Sequence, residues 1–339
     1  MTEITDKVMI KPKLAFVGTG WIGLTRIKSL IERDICEPVA ISDTYYENEQ
    51  KALAICPGAE IYPTIDDVVE SKPDGIVIAT PSALHYEQCM AALKNGIPVF
   101  CQKPLSRTAA ESKEIIEQAR KSDRLLGVDL SYRFTDGMQK IFGLAGNNEL
   151  GNIYAADLVF HNAYGPDKEW FYNPKLSGGG CLIDLGIHLV DLALWVLNFP
   201  EIKNVHASLF SRGKRLTDLQ DVSEDFVTAQ VETSEGKVIR ITCSWNLPAG
   251  KNAEIKADFY GTDASAKFSN INGSFYDFET QLCRGTSSEV ISSPPDDWGG
   301  RALIDWTHKL QRSNRFDKSV TNYEKVAKVI DQIYGRESR

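Results

Sequence analysis

The 339-residue sequence lacks the features that mark secreted, membrane-spanning or zinc-binding proteins. Its seven cysteines are an odd number and include no C-x-x-C pair, so we expect reduced, mostly buried thiols and no metal site. The N-terminal segment MTEITDKVMIKPK has no continuous apolar core of the kind found in a signal peptide. No uncharged run approaches the roughly 18 residues of a membrane span. A cytoplasmic protein without a membrane partner is expected.

Excess positive charge is also missing. The 38 Lys and Arg residues are outnumbered by 46 Asp and Glu residues, which gives a formal net charge of −8. No basic cluster is interleaved with aromatic residues. Because phosphate contacts require Lys and Arg, we expect no nucleic-acid partner. An anionic small ligand stays open, since it requires only a local site.

The chain shows two patterns, and it is longer than most single hydrophobic cores. From Lys13 to about Asp129, short apolar runs alternate with amphipathic segments, which indicates a doubly wound parallel sheet. From Gly151, a largely apolar helix precedes period-2 segments that predict an antiparallel meander with helices on one face. A last amphipathic helix ends at Gly335. We therefore predict an α/β protein with domains at residues 1–130 and 131–339. The predicted strands are KLAFVG, EPVAISD, DGIVIAT, IPVFCQK and LLGVDLS, then KNVHASLF, EDFVTAQVET, KVIRITCSWN, AEIKADFYG, SAKFSN and GSFYDFE.

The segment GTGWIG follows the first predicted strand, opens a helix and fits the pattern G-x-G-x-x-G. Gly18 permits a tight turn, Gly20 lets the backbone approach a pyrophosphate, and Gly23 allows close packing of the helix on the strand. Asp43 lies twenty residues after Gly23, where its carboxylate would bind ribose hydroxyls and repel a 2′-phosphate. The pattern predicts a dinucleotide cofactor, with NAD preferred over NADP. An ordinary glycine turn and a simple cap at Asp43 are the alternatives.

Lys103, in CQKPLS, is placed at the end of another predicted strand, between Gln102 and Pro104. Ligands of open parallel sheets gather at the carboxyl ends of the strands. We therefore expect this ammonium to face the cofactor crevice. A solvated lysine is the alternative when the residue is considered alone.

The segment GGGCLIDLGIHLVD, residues 178–191, combines three glycines with an apolar helix that carries one polar stripe. Asp184, His188 and Asp191 fall at i, i+4 and i+7 of a helix from about Asp184 to Asn198. A helix this apolar is expected to be buried, so the stripe must face something polar. Asp and His one turn apart suit proton transfer, and the glycines would let another group approach the backbone. A capping Asp with a core His is the alternative.

Together, GTGWIG, IATPSALHYEQCMAALKNGIPVFCQKPLS and GGGCLIDLGIHLVD resemble the glucose-fructose oxidoreductase, inositol dehydrogenase and rhizopine catabolism family (Gfo/Idh/MocA). The resemblance spans essentially the whole chain. It implies a Rossmann domain, an α+β domain with a large open, predominantly antiparallel sheet, and NAD(P)-dependent oxidation or reduction of sugars, cyclitols and their derivatives. It places the catalytic residues at Lys103, Asp184 and His188. The cofactor site that it implies consists of Gly18, Thr19, Gly20, Trp21, Ile22, Gly23, Asp43, Thr80, Pro81, His85, Gln102 and Lys103.

The chain departs from the family pattern in two places. Gln102 stands where the family usually has a glutamate, which removes a charge near the expected nicotinamide ribose. The segment WFYNP replaces the W-R-x-D-P of many members, which disfavours a contact to an acidic substrate group. Several residues are candidates for lining a sugar pocket, with packing in the core or on the surface as the alternative for the less specific ones. These candidates are Tyr132, Arg133, Asn162, Tyr164, Trp170, Asp184 and His188.

The resulting hypothesis is hydride transfer between a nicotinamide cofactor and a secondary hydroxyl or ketone of a carbohydrate-like substrate. His188 is the general acid/base, Lys103 hydrogen-bonds the reacting oxygen, and Asp184 holds the substrate hydroxyl. Asp191 either orients the imidazole or satisfies a neighbour. A glycosidase or lyase that uses NAD transiently stays open, as does a non-catalytic NAD-binding regulator. Accumulation of reduced cofactor separates the first alternative from a dehydrogenase, and the intact proton-transfer set argues against the second.

The open sheet predicts association between copies of the chain. If its outer face carries Val, Ile, Phe and Trp, it exposes apolar area unless it is covered. We expect a homodimer or homotetramer formed through the C-terminal sheet.

Overall fold

The computed structural model describes residues 10–217 and 221–336, and the first part of the chain forms a six-stranded parallel sheet. Its strands are β1 (Lys13–Val17), β2 (Glu37–Ser42), β3 (Glu60–Ile61), β4 (Gly75–Ile78), β5 (Val99–Cys101) and β6 (Leu126–Val128). They pair in the order β3-β2-β1-β4-β5-β6, so the direction of strand addition reverses between β1 and β4. The predicted doubly wound Rossmann sheet is confirmed, and the crevice at this reversal is where such folds bind ligands.

Helices cover both faces of this sheet because alternate residues of each strand point to opposite sides. Leu14 and Phe16 of β1 belong to one apolar core, whereas Ala15 and Val17 belong to the other. Both cores are closed by helices that follow the strands in the chain. These helices are α1 (Trp21–Ile31), α2 (Tyr46–Ile55), α3 (Ile65–Glu70), α4 (Ser82–Lys94) and α5 (Ala109–Ser122).

The second part of the chain forms a nine-stranded sheet. Its strands are β7 (Ile153–Asn162), β8 (Ile202–Ser211), β9 (Lys214–Arg215), β10 (Phe226–Thr233), β11 (Val238–Ser244), β12 (Ala253–Gly261), β13 (Ser265–Asn270), β14 (Phe278–Arg284) and β15 (Ser287–Ser292). They pair in the order β15-β14-β13-β12-β7-β11-β10-β8-β9. Within the described residues, the β7–β11 pair is parallel and the other pairs are antiparallel. The predicted large, predominantly antiparallel sheet is confirmed.

One face of this sheet is covered by helices. The remaining helices are α6 (Asp136–Gly146), α7 (Pro174–Ser177), α8 (Ile187–Val196), α9 (Arg301–Arg312) and α10 (Asn322–Ile333). Helix α8 lies against β7, β11 and β12, with α6 and α10 beside it. The stretch Pro174–Val196 is long and apolar enough to cross a membrane, but most of it is buried in the protein. Such burial is typical of a core helix.

Helix α9 leaves the second sheet and packs against the first. The ring of Trp306 lies 5.8 Å from that of Phe100 on β5. A Cβ atom added at Gly127 of β6 would lie 2.6 Å from Cδ1 of Trp306, so the glycine makes room for the indole. The division of the chain at residue 130 stays a proposal, and α9 is a late segment that completes the core of the first domain.

The uncovered face of the nine-stranded sheet is largely polar, so the prediction of an apolar outer face is wrong. Arg240 on β11 donates to both carboxylate oxygens of Asp157 on β7, at 2.5 and 2.6 Å. Lys256 and Glu254 of β12 form another ion pair on this sheet. The strand residues Val, Ile and Phe mostly occupy the alternate positions and face the helices.

Candidate active site

The glycine-rich loop between β1 and α1 has the geometry that a phosphate group requires. Gly18 has a φ of +84°, and a Cβ there would lie 2.6 Å from the carbonyl carbon of Ala79. A Cβ at Gly23 would overlap the carbonyl oxygen of Gly18. Gly20 faces open space, and no side chain of the described residues caps the N-terminus of α1. The exposed end of an eleven-residue helix can therefore receive an anion.

Asp43, at the end of β2, is held beside this loop. Its Oδ2 accepts hydrogen bonds from Thr19 N at 2.6 Å and Thr19 Oγ1 at 3.1 Å, and its Oδ1 accepts from Tyr45 N at 2.9 Å. Thr19 is fully buried, whereas Trp21 is 70% exposed. The predicted cofactor residue Thr19 thus fixes the carboxylate of Asp43 and presents no side chain to the crevice.

His85 joins the two loops that flank the crevice. Its Nδ1 lies 2.7 Å from the carbonyl oxygen of Pro104, and its Nε2 lies 2.8 Å from that of Thr80. Burial lowers the pKa of this imidazole, and the two carbonyls oppose that effect. Because the ring is buried and each nitrogen faces a backbone carbonyl, His85 holds the two loops together, and its predicted contact with the cofactor stays a prediction. Pro81, by contrast, is exposed at the start of α4.

Lys103 and Asp184 meet between the two domains, although 80 residues separate them in the sequence. Lys103 Nζ donates to Asp184 Oδ1 at 2.8 Å and to the backbone carbonyl of Asp184 at 2.7 Å. Both side chains are mostly but not completely buried, with 19% and 15% exposed. A partly open ion pair of this kind lets a substrate hydroxyl reach either group.

The backbone around Asp184 is wider than an α-helix. The segment Leu182–Gly186 is a π-helical turn, and the N–H of Ile187 donates to the carbonyl of Leu182. The regular helix begins only at Ile187, three residues later than predicted. π-turns inside helices occur often at functional sites, because they reorient the side chains that follow.

His188 lies next to this pair in an aromatic pocket. Its ring centroid is 4.8 Å from that of Tyr132 and 6.5 Å from that of Phe160. Burial lowers the pKa of His188 well below 6.5, and the positive charges of Lys103 and Arg26 lower it further. The imidazole is therefore neutral at neutral pH, as a general base must be.

Two family models match the chain. One is described as an oxidoreductase family with an NAD-binding Rossmann fold and matches residues 13–130. The other is described as the GFO/IDH/MocA C-terminal domain and matches residues 138–267. The chain belongs to the Gfo/Idh/MocA family. The resemblance inferred from the three sequence motifs is confirmed.

Named relatives of this family act on sugars. The chain is 29% identical over 269 residues to D-glucoside 3-dehydrogenase of Escherichia coli K12, covering 75% of this chain and 76% of the relative. Its fold is similar to that of levoglucosan dehydrogenase in complex with NADH and levoglucosan, with a TM-score of 0.80, 18% identity and 96% of each chain covered. It is also similar to KijD10, a 3-ketoreductase from Actinomadura kijaniata in complex with NADP and TDP-benzene, with a TM-score of 0.82, 17% identity, and 96% and 98% covered.

One residue at the Gfo/Idh/MocA site was missed in the sequence. Trp245, directly after β11, donates from Nε1 to Asp184 Oδ2 at 3.1 Å. The carboxylate of Asp184 is thus held from both sides, by Lys103 of the first domain and Trp245 of the second. The period-2 pattern placed Trp245 at a strand end, but it carried no signal for the distant partner.

Asp191 does not orient the imidazole of His188. Its carboxylate accepts from Arg133 at both oxygens, with an Nε–Oδ2 distance of 2.7 Å. The guanidinium also lies over the rings of Trp195 and Phe199, at 5.6 and 5.4 Å. Arg133 Nε and Nη2 are thus engaged by Asp191, while its side chain stays 20% exposed, and its predicted contact with a sugar stays a prediction.

The three glycines at residues 178–180 do receive a close approach, but from the protein. A Cβ at Gly180 would overlap the backbone oxygen of Glu224, and one at Gly179 would overlap the hydroxyl of Tyr334. Glu224 Oε1 accepts from Gly180 N, Leu182 N and Tyr334 Oη, at 3.0, 2.9 and 2.9 Å. The expected close approach to these glycines is thus made by residues of the protein, and Gly180 joins the π-turn to Glu224.

The other predicted pocket residues differ in their surroundings. The Oδ1 atom of Asn162, at the end of β7, is buried and has no hydrogen-bond partner among the described residues. Tyr164 is 50% exposed. Trp170 stacks on Phe171 at 3.8 Å. In the WFYNP segment, Asn173 Oδ1 accepts from Lys175 N at 3.0 Å, so this departure from the family pattern starts α7.

Gln102, the second departure, is buried behind Lys103. Its Nε2 donates to Asp129 Oδ2, which also accepts from Arg26 Nε at 2.5 Å. The sequence pattern identified Gln102 but not Asp129, its partner, or Arg26, which shares that carboxylate. Among the described residues, no group of three or more His, Cys, Asp or Glu side chains could hold a metal ion. All seven cysteines lack disulfides, and six are buried, as expected of reduced thiols.

Proposed function

We propose that the chain is an NAD(P)-dependent dehydrogenase or reductase acting on a secondary hydroxyl or ketone of a sugar, cyclitol or sugar derivative. The observation that carries this proposal is the ion pair between Lys103 and Asp184, with a neutral His188 beside it. The pair lies at the carboxyl edge of the parallel sheet, which also carries the glycine-rich loop. This arrangement brings a proton acceptor and a hydrogen-bond donor to the place where the nicotinamide end of a dinucleotide would lie.

A bound nicotinamide supplies the redox chemistry. The residues of the chain position the carbinol and move its proton. His188 accepts the hydroxyl proton during oxidation and returns it during reduction. Lys103 donates to the reacting oxygen and stabilises the negative charge that develops there. Asp184 holds both the ammonium and the substrate hydroxyl.

The preference for NAD over NADP is part of this proposal. It is supported by the carboxylate of Asp43, which is fixed by Thr19 at the end of β2, where a 2′-phosphate would be repelled. Asp43→Ser removes the charge and should raise the ratio of kcat/KM with NADP to kcat/KM with NAD. Asp66→Asn, on the exposed face of α3, is the matched control for the lost charge. An unchanged ratio would contradict the assignment of Asp43.

The C3 hydroxyl of a hexopyranoside is the first substrate position to test. This choice is supported by the names of two relatives, a D-glucoside 3-dehydrogenase and a 3-ketoreductase, and by the absence of an arginine at Phe171. The deciding experiment follows reduced cofactor at 340 nm over a panel of glucosides, free sugars and inositols. Stoichiometric accumulation of a ketone and reduced cofactor is expected. Turnover with release of a glycone and without reduced cofactor would instead indicate transient use of NAD.

A cytoplasmic location and assembly into a homodimer or homotetramer through the C-terminal sheet also stay predictions. Because the open face of that sheet is polar, such an interface would consist largely of ion pairs and hydrogen bonds. It would therefore be sensitive to salt.

A further inference from the structure

Arg26, Gln102 and Asp129 form a buried polar cluster at the carboxyl ends of β5 and β6. Cys101 pairs with Val128, so Gln102 and Asp129 are neighbours on adjacent strands. Arg26 comes from α1, directly after the glycine-rich loop. The Arg26 and Asp129 side chains are 6% and 0% exposed, and Gln102 is 8% exposed. Three elements that form the cofactor crevice therefore meet at one carboxylate.

The chemistry of the cluster determines how Gln102 is oriented. A carboxylate paired with a guanidinium can only accept hydrogen bonds, so the NH₂ group of Gln102 must face Asp129. The amide oxygen then points away from Asp129. It makes no hydrogen bond to another described residue, and Gln102 directly precedes Lys103 at the crevice. The other oxygen of Asp129 is buried and has no hydrogen-bond partner among the described residues. Because a buried acceptor without a partner costs free energy, stability alone does not account for this carboxylate.

We propose that Asp129 is a positioning residue for the cofactor, which acts by turning the amide oxygen of Gln102 toward the nicotinamide side of the crevice. In that orientation the oxygen accepts a ribose hydroxyl, as a glutamate at this position would. The negative charge is kept, but it lies one strand further from the ligand and is balanced by Arg26. The inference rests on the proposed function, since it requires a nicotinamide cofactor in this crevice.

Exchange of the two side chains tests the coupling. Gln102→Glu alone places a second carboxylate in contact with that of Asp129, and the two repel each other. Asp129→Asn alone replaces the charged acceptor shared by Arg26 and Gln102 with a neutral amide, whose NH₂ group no longer fixes the orientation of Gln102. The double variant Gln102→Glu/Asp129→Asn restores one donor and one carboxylate at the same two positions, with the charge moved to β5. If the two positions are coupled, the double variant recovers the NADH affinity that each single variant loses.

The measurement is a fluorescence titration with NADH, and with NADPH as a second probe, together with thermal melts of the free proteins. Gln332→Glu and Asp66→Asn, both exposed, are matched controls for the charge changes. We expect each single variant to bind NADH about tenfold more weakly, as for the loss of one buried hydrogen bond, and the double variant to bind within about threefold of wild type. The KM for substrate should change less than the Kd for NADH.

Two results separate the ways in which the inference fails. Wild-type protein that binds neither NADH nor NADPH overturns the proposed function and this inference together. The inference alone is overturned if the wild type binds normally but the losses of NADH affinity add in the double variant, to about a hundredfold. If Asp129→Asn does not fold, the comparison is between Gln102→Glu and the double variant. Tighter NADH binding by the double variant supports the coupling, and equal binding contradicts it.

Discussion

Asp184 is the residue at which the two domains share one site. Lys103 reaches it from β5 and Trp245 reaches it from β11, so the distance between the sheets fixes the geometry of the carboxylate. His188 lies one turn further along the same helix. Its neutrality depends first on burial and then on the cations nearby. The contacts that hold Asp184 and those that keep His188 neutral therefore differ, so the two residues can be perturbed separately.

Substitution of His188 should remove proton transfer without removing cofactor binding. We expect His188→Asn to lower turnover by about 10² to 10⁴, the usual contribution of a general acid/base. NADH affinity should stay within about twofold, since the role proposed for the imidazole is toward the substrate and not the cofactor. His206→Asn, at an exposed position on β8, is the matched control. Steady-state kinetics and NADH titration measure both quantities, and normal turnover on a confirmed substrate would refute the role.

The charge of Lys103 should be visible in the titration of His188. Because nearby positive charge lowers the pKa of this imidazole, Lys103→Met should raise the pKa toward 6.5, while burial keeps it below that value. NMR of ¹³C-histidine-labelled protein follows the titration, and His188→Asn assigns the signal. Lys103→Arg keeps the charge and should leave the titration nearly unchanged. An equal response to Met and Arg would show that charge is not the cause.

At the scale of the element, the π-turn and Glu224, which anchors it, explain how an apolar helix presents polar groups. The 3.6-residue period correctly predicted a buried helix with Asp184 and His188 on one side. It could not predict the π-turn, because the wider backbone depends on Glu224, which lies some 40 residues further along the chain. It also could not separate Asp191 from the stripe, since the partner of Asp191 is Arg133, which lies 58 residues earlier in the chain. Local periodicity specifies a face, and long-range partners decide what each residue on that face does.

Glu224, which anchors the π-turn, should make the free energy of unfolding fall as the pH rises. Burial raises the pKa of Glu224 above its ordinary 4.5, although backbone donors oppose this. Between 4.5 and the raised value, the folded protein keeps a proton that the unfolded chain has released, so the free energy of unfolding falls as the pH rises. Glu224→Gln does not titrate and should lack this part of the slope.

Denaturant unfolding of both proteins from pH 4 to 8 measures the difference in slope. Glu224→Ala, which leaves three buried donors unpaired, should lower the free energy of unfolding by about 3 kcal/mol. Parallel pH profiles for wild type and Glu224→Gln would show that this carboxyl group does not titrate as described.

At the scale of the molecule, the order of elements was largely predictable, whereas the packing partners of the late segments were not. The βα repeats and the glycine loop specified the first sheet, except for the two-residue β3. The central strand β7 was not predicted, and GSFYDFE was placed ahead of β14, which begins only at Phe278. Helix α9 was also missed. Its apolar residues Leu303, Trp306 and Leu310 are spaced for a helix, but they pack on a sheet formed some 200 residues earlier.

The polar open face leads to the last prediction. If copies of the chain associate through this sheet, the Arg240–Asp157 pairs lie in the interface, and opposite charges on facing sheets hold it together. We expect a dimer or tetramer by light scattering at low ionic strength, and dissociation toward monomer near 1 M salt, where the screening length is about 3 Å. Arg240→Glu places a like charge beside Asp157 and should produce monomers at low salt. Lys113→Glu, an exposed reversal on α5 of the other domain, should leave the assembly intact. A monomeric wild-type protein at low salt would rule out this interface, and an oligomer that Arg240→Glu leaves intact would place the interface elsewhere.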